Sequence, residues 1–160
     1  MTLPLIMEKN EGMVSIRKAQ RQDTSLILDF IKGIAKYEKL LHEVKATTEL
    51  LDEWLFEKKI AEVVFIMEKT TEVGFVLYFY NFSTFVGKAG IYIEDLYVKP
   101  EYRGKGYGKT LINYIISKGR EEGLGRVEWT CLDWNEPSIN FYKSIGAAPM
   151  TDWTHFRYIL

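Results

Sequence analysis

The chain has 160 residues, 47% of them hydrophobic, and a formal net charge of −1. This length suits one domain with its own core, and the near-neutral charge excludes nucleic-acid binding through a strong basic field. The single cysteine, Cys131, excludes an internal disulfide framework and a cysteine-based zinc site.

The predicted elements of the first half follow from alternating β-branched residues for strands and helical apolar spacing for helices. They are a strand at residues 13–18, a helix at 24–39 capped by Asp23, a helix at 47–57, and strands at 61–67 and 73–82. The break EKTTE between the last two strands predicts a hairpin.

The second half continues the pattern after a glycine-rich loop. Its predicted elements are a strand at 89–98 ended by Pro100, a helix to 122 with Gly123 after it, a strand at 126–132, a helix at 135–145 between Asn135 and Gly146, and a strand at 153–160. The order β-α-α-β-β-β-α-β-α-β predicts a single α/β domain with a mixed sheet over residues 13–160.

The start of the chain, MTLPLIMEKNEG, lacks the basic segment and the apolar core of a signal peptide. No apolar run approaches the roughly 18 residues that a membrane span needs. We therefore expect an N-terminal extension over residues 1–12 and no membrane partner. The lone cysteine fits a reducing compartment, so we expect a cytoplasmic protein.

The loop RGKGYGKT (residues 103–110) places three glycines among basic residues, directly before a predicted helix. A Walker A loop requires glycine where Arg103 stands, and the dinucleotide fingerprint requires glycine where Lys109 stands. The pattern that fits is R-x-x-G-x-G, with Gly106 and Gly108. Glycines allow close backbone approach and a helix start favours phosphate, so the loop indicates an anion site. The alternative is a plain glycine-rich turn.

Two segments carry a family resemblance. VKPEYRGKGYGKTLI resembles the acetyl-CoA-binding segment of the GNAT (Gcn5-related) N-acetyltransferases, and LDWNEPSINFYKSIGA resembles their C-terminal helix segment. AKYE and IYIEDLYV are most similar to the diamine (spermidine/spermine) branch. The resemblance implies a mostly antiparallel central sheet flanked by helices, acetyl-CoA as co-substrate, no metal, and a homodimer.

The resemblance also implies which residues bind acetyl-CoA. The loop would hold the pyrophosphate, the strand would line the pantetheine arm and polarise the thioester carbonyl through a backbone N–H, and the C-terminal helix would contact the cofactor where two strands splay apart. The implied residues are Arg103, Gly104, Lys105, Gly106, Tyr107, Gly108, Lys109, Leu96, Tyr97, Val98, Asn135, Pro137, Ser138 and Tyr142.

Amine acetylation requires a base for the ammonium and an acid for the leaving thiolate. Tyr142 matches the family's general acid, although its spacing with Ile139 and Ile145 also fits a core aromatic. Glu94 lies in an otherwise apolar strand, where a charge is unfavourable unless it is paired or faces a cleft, so it is the candidate base or base relay. Asp95 beside it reaches the same site only if the strand bulges; otherwise it is structural.

The resemblance implies further acceptor contacts at Tyr37, Glu38, Glu128, Trp129 and Asp152. His42 and His155 form no metal-ligand spacing, and Cys131 is interpreted as a small buried hydrophobe in the strand with Val127 and Trp129.

Carboxylates in the cleft favour a cationic acceptor. Polyamine-type members carry an acidic residue before the fourth strand, whereas this chain has Ser83 and Thr84 there, as relatives associated with thialysine do. A lost carboxylate weakens a dication more than a monoamine. We therefore expect a small primary amine, with polyamine and lysine analogue both open.

Other functions remain open at this stage. A protein lysine or N-terminal acetyltransferase would need an open groove in place of a narrow acidic cleft. A non-catalytic acyl-CoA-binding module would bind acetyl-CoA without turnover. A nucleotide phosphotransferase, suggested by Gly108-Lys109-Thr110, is disfavoured by the missing first glycine.

Overall fold

The computed structural model describes residues 13–160, which form two compact units divided after Trp129. The predicted extension over residues 1–12 lies outside the described residues. In the described part of the chain, no helix has both the length and the apolar character needed to cross a bilayer.

A five-stranded sheet organises the first unit. Its order is β1-β2-β3-β4-β5; the first four strands are antiparallel to their neighbours, and β5 runs parallel to β4. This confirms the expected mixed, mostly antiparallel sheet. The strands are β1 (Val14–Lys18), β2 (Glu62–Glu68), β3 (Thr71–Ser83), β4 (Lys88–Val98) and β5 (Val127–Trp129).

The helices also lie where their apolar spacing predicts. They are α1 (Thr24–Tyr37), α2 (Thr48–Leu51, continued by a π-helical segment at Asp52–Glu57), α3 (Tyr107–Glu121) and, in the second unit, α4 (Glu136–Ser144). Short 3-10 turns at Arg21–Asp23, Leu41–Glu43 and Pro100–Tyr102 connect elements. Gly123 and Gly146 follow α3 and α4 in the left-handed conformation expected of C-terminal caps.

The role predicted for Asp23 was wrong in detail. Its carboxylate does not cap α1; it accepts the Gln20 backbone N–H at 2.7 Å and so closes the preceding 3-10 turn. The same carboxylate pairs with Arg17 at 2.7 Å, and Arg17 also reaches Glu72 at 2.7 Å. This pairing holds the pKa of Asp23 below its usual range and ties the entry of α1 to β1 and β3.

Consecutive strand residues point to opposite sides of the sheet. Runs of consecutive buried residues in β2 and β3 therefore mean that both faces are covered. On one face Phe65 and Phe75 lie opposite each other and pack with Phe30 of α1. On the other face Val64 lies opposite Val76, and α3 packs against β3, β4 and β5. The side chains buried there include Leu111, Ile112 and Ile115 of α3.

The second unit differs from the sequence prediction at its end. Residues 153–160 form no strand, and every side chain from 151 to 160 is exposed. The strand predicted at 126–132 stops at Trp129, so Cys131 lies beyond it and is half-buried. The alternation in WTHFRYIL fits a strand, but a strand also needs a neighbour to satisfy its backbone groups, and periodicity does not supply one.

Phe30 tests the core on the α1 face. Its ring is 2% exposed and lies 5.1 Å from the Phe75 ring centroid. We expect Phe30→Ala to lower the free energy of unfolding by about 3–5 kcal/mol, because it leaves a cavity among aromatic rings. Urea denaturation measures this, with Phe85→Ala as control: Phe85 is 94% exposed, and its loss should change stability by less than about 0.5 kcal/mol. Equal losses of unfolding free energy in the two variants would contradict the placement of Phe30 in the core.

Candidate active site

A β-bulge in β4 places two carboxylates at one location. Leu77 of β3 pairs with Asp95, and the next residue, Tyr78, pairs with Ile93, so Glu94 is the extra residue. The extra residue breaks the strict alternation of side chains. The condition under which Glu94 and Asp95 could serve one site is therefore met.

The far edge of β4 is open beyond the bulge. β5 pairs with β4 only from Ile91 to Ile93, and among residues 13–129 no strand continues that pairing. The backbone from Glu94 to Val98 therefore has a strand neighbour on the β3 side alone. An edge of this kind can bind an extended ligand through main-chain groups, which is the role that the sequence predicts for Leu96, Tyr97 and Val98.

Asp95 has an unusual electrostatic environment. Burial, followed by the negative charges of Glu94 and Glu38, raises the pKa of Asp95 to about 7. Glu38 directly follows α1, and burial raises its pKa as well. Like charges brought together in a partly buried place disfavour ionisation, so the three carboxyl groups form a site that a cation would stabilise. A carboxyl that titrates near neutral pH can also take up a proton.

Arg103 lies at the junction of β4 and α1. Its Nε donates to the Val98 carbonyl oxygen at 3.0 Å. Its guanidinium carbon lies 4.7 Å from the centroid of the Tyr37 ring and 5.4 Å from that of Tyr97. Arg103 therefore connects the glycine loop to the end of α1, where Glu38 follows Tyr37.

The glycine loop has the backbone that an anion site requires. Gly104 and Gly106 have φ of 78° and 83°, values that other residues adopt only with strain. Gly106 precedes α3, whose first N–H groups have no acceptor within the helix and lie at its positive end. These features fit an anion, such as the pyrophosphate that the family resemblance implies for this loop.

Two predicted cofactor contacts have side chains that are engaged elsewhere. The Lys105 ammonium lies 2.9 Å from Oε1 of Glu68, and the buried Tyr107 hydroxyl donates to the same oxygen. Burial and this carboxylate raise the pKa of Tyr107 to about 12. Sequence analysis missed Glu68, because nothing in EKTTE marks the end of β2 as a neighbour of a loop some forty residues later.

Tyr97 contributes packing on the α1 face. Its ring meets Phe30 edge-on at 6.2 Å, and a Cβ added at Gly33 would come within 2.9 Å of it. Gly33 thus leaves room for the Tyr97 ring against α1. The part of Tyr97 available to a cofactor is its backbone.

Two other predicted acceptor contacts lie on β5. The Glu128 carboxylate pairs with Arg126 at 3.0 Å and lies 3.5 Å from the Asn81 amide nitrogen. The structure thus groups Glu38, Glu94 and Asp95, and gives Glu128 a separate partner; Trp129, the last residue of β5, is half-buried.

The remaining predicted site residues belong to the second unit. Tyr142 lies on α4, half-buried, with its ring centroid 5.3 Å from that of Phe141. Asn135 precedes α4 and is buried, Pro137 and Ser138 lie in its first turn, and Asp152 is exposed beyond it. Their roles remain predictions.

Ser83 lies far from the carboxylates along the hairpin. It pairs with Lys88 and its Oγ accepts the Val86 N–H at 3.2 Å, so it shapes the β3–β4 turn. Six residues of β4 separate Lys88 from Asp95, a distance of roughly 20 Å in a strand. Within one chain, an acidic residue at the position of Ser83 would therefore not lie beside Glu38, Glu94 and Asp95.

Histidine, cysteine and acidic side chains are not gathered as metal ligands anywhere in residues 13–160. His42 is exposed and lies 3.3 Å from Glu43.

Comparison with known proteins identifies relatives along most of the chain. Thialysine N-epsilon-acetyltransferase of Sus scrofa is 35% identical over 157 residues, covering 91% of this chain and 92% of that protein. L-ornithine N5-acetyltransferase of Arabidopsis thaliana is 42% identical over 92 residues, covering 56% of this chain and 40% of that protein. Spermidine/spermine N(1)-acetyltransferase-like protein 1 of Homo sapiens is 31% identical over 154 residues, covering 89% and 22%. The predicted likeness to the diamine branch is confirmed.

Among solved structures, an integron cassette protein from the mobile metagenome of V. cholerae has a TM-score of 0.75 at 25% identity, covering 91% of this chain and 92% of its own. The model of the acetyltransferase (GNAT) family matches residues 29–147, which include the β4 bulge, the glycine loop and α4. The chain therefore belongs to the GNAT acetyltransferase family.

Proposed function

We propose that the protein transfers the acetyl group of acetyl-CoA to a primary amine of a small molecule, a polyamine or a lysine-like side chain. The observation that carries this proposal is the group of Glu38, Glu94 and Asp95 beside the glycine loop of a GNAT chain. A partly buried negative site next to an anion-binding loop suits a cationic acceptor and a pyrophosphate donor.

The acceptor class is supported by charge and by the relatives. Relatives named for thialysine and ornithine act on amines of amino-acid side chains, and one is named for polyamines. The carboxylate group of this chain fits either class. Because Ser83 lies at the far end of the hairpin, it does not decide between them here.

The residues divide the chemical work as follows. Acetyl-CoA supplies an acetyl thioester whose acyl carbon is open to a neutral amine. Glu94, in the bulge, is the proposed base that takes a proton from the ammonium, and Asp95 with Glu38 holds the acceptor's charge. The backbone of residues 104–108 binds phosphate, and the edge of β4 beyond Ile93 orients the pantetheine arm. Tyr142 is the proposed acid whose phenol protonates the leaving sulfur.

We also propose a cytoplasmic homodimer. The support is the family resemblance and the single cysteine, which fits a reducing compartment. Light scattering at several concentrations measures the mass of the assembly.

The first test measures thiol release from acetyl-CoA against spermidine, spermine, putrescine, thialysine, ornithine, lysine and a lysine peptide. We expect turnover of at least one small amine. Tyr142→Phe and Glu94→Gln should each lower kcat by about 10²-fold, because each removes a proton-transfer group. Tyr158→Phe, which removes an exposed phenol, is the control. Turnover of the peptide alone would favour a protein acetyltransferase, and acetyl-CoA binding without turnover a binding module.

A second prediction concerns pH. Because the pKa of Asp95 is raised to about 7, its carboxyl gains charge, and attraction for an ammonium, as pH rises through neutrality. The amine's own deprotonation affects wild type and Asp95→Asn equally. We therefore expect kcat/KM for the amine in wild type, divided by that in Asp95→Asn, to rise between about pH 6 and pH 8. A ratio independent of pH would contradict a role for the Asp95 charge.

Stability provides an independent readout of the same residue. The pKa of Asp95 is about 7 in the folded chain, whereas the ordinary pKa of an aspartate side chain is 3.8. Between these values the folded state binds more protons, so stability falls as pH rises. Asp95→Asn removes that loss and should stabilise the apo protein by about 3 kcal/mol more at pH 8 than at pH 4.5.

Urea denaturation at both pH values measures this difference. The exposed Asp133→Asn change is the control and should show no such difference. If the free energy of unfolding differs between Asp95→Asn and wild type by the same amount at pH 4.5 and pH 8, the fold does not hold the carboxyl in its protonated form.

A further inference from the structure

Glu68 connects the sheet to the glycine loop through one oxygen atom. Oε1 accepts from the Lys105 ammonium at 2.9 Å and from the Tyr107 hydroxyl. Glu68 itself is the last residue of β2, paired with Val14 of β1 and Thr71 of β3. The backbone of Glu68 is therefore held between two neighbouring strands.

The two donors flank Gly106. This glycine is the left-handed residue that turns the chain into α3, with φ of 83°. Lys105 precedes it and Tyr107, 7% exposed, follows it as the first residue of the helix. The residues on both sides of Gly106 therefore bind the same oxygen atom of Glu68.

The charge of Glu68 makes its placement informative. A carboxylate near an anion site repels a pyrophosphate and neutralises Lys105, so electrostatics alone would make Glu68 unfavourable for acetyl-CoA. Its side chain is 20% exposed, and the hydrogen bonds from Tyr107 and Lys105 hold its pKa below the ordinary value. It therefore remains an ionised acceptor at neutral pH.

We propose that Glu68 is a positioning residue for the cofactor: it holds Lys105 and Tyr107 so that the loop's backbone N–H groups converge on the pyrophosphate. The inference rests on the proposed function. It assigns to Lys105 and Tyr107 a role in shaping the loop through their side chains, with the backbone as the phosphate donor. Preformed geometry lowers the ordering that binding would otherwise require.

The opposing effects of charge and geometry make the test sharp. We expect Glu68→Ala to raise the acetyl-CoA Kd and KM about 10-fold while kcat and the amine KM change less than about 2-fold. Glu68→Gln should restore affinity to within about 3-fold, because an amide oxygen still accepts both hydrogen bonds. A purely electrostatic role predicts the reverse, with both variants binding acetyl-CoA more tightly.

Glu62→Ala is a matched control. Glu62 begins β2, accepts the Tyr78 hydroxyl at 3.2 Å and pairs with Lys18 at 2.7 Å, so it has the same kinds of partner at the other end of the strand. Its loss should lower stability to a similar degree without changing the acetyl-CoA Kd. Thermal unfolding and calorimetric titration with acetyl-CoA report the two quantities separately.

The outcomes separate this inference from the proposed function. A wild-type chain that binds no acetyl-CoA overturns both. Wild-type binding with unchanged or tighter binding by Glu68→Ala overturns the positioning role alone. If Glu68→Ala does not fold, Tyr107→Phe decides, because it removes only the hydroxyl: we expect about a 3-fold rise in Kd, and no change would overturn the inference.

Discussion

The candidate site depends on the one-residue bulge at Glu94. Without it, β4 would alternate strictly, and Glu94 and Asp95 would point to opposite faces of a sheet that is buried on both sides. With it, Asp95 stays in register with Leu77 on the α1 face while Glu94 is displaced from the ladder. The bulge also lies just after Ile93, where β5 stops pairing with β4. One irregularity therefore coincides with the carboxylate group and with the open strand edge.

Packing on the α1 face then determines what surrounds that edge. Gly33 leaves room for the Tyr97 ring, and Phe30 meets the ring edge-on, so α1 lies close to β4 and its last residues reach the bulge. Arg103 stacks over Tyr97 and Tyr37 and bonds the Val98 carbonyl. The aromatic contacts of the core therefore place the end of α1, with Glu38, near Asp95. They also fix Arg103, the first residue of the glycine loop, against the end of β4.

Local patterns were sufficient for much of this arrangement. Apolar spacing located α1 and α3, the three glycines marked the turn into α3, and the charged pair in IYIEDLYV pointed to the bulge. Long-range features were not readable. The Glu68 contacts join residues 37 and 39 positions apart, the pairing of Glu128 with Arg126 competes with the acceptor contact that the family resemblance implied, and residues 153–160 have strand-like alternation without forming a strand. Each depends on which neighbours the fold supplies.

The candidate site combines two requirements of opposite sign. Glu38, Glu94 and Asp95 favour a cation, whereas the loop from Arg103 to Gly108 favours an anion. Glu38 follows α1, Glu94 and Asp95 lie within β4, and the loop follows β4. Arg103 lies between them, with its guanidinium over the rings of Tyr37 and Tyr97. Glu68 keeps Lys105 paired on the side of the loop formed by β2. In the proposed binding mode, the backbone N–H groups of the loop bind the pyrophosphate. Because these donors carry no mobile positive charge, they do not compete with the acceptor amine for the three carboxylates.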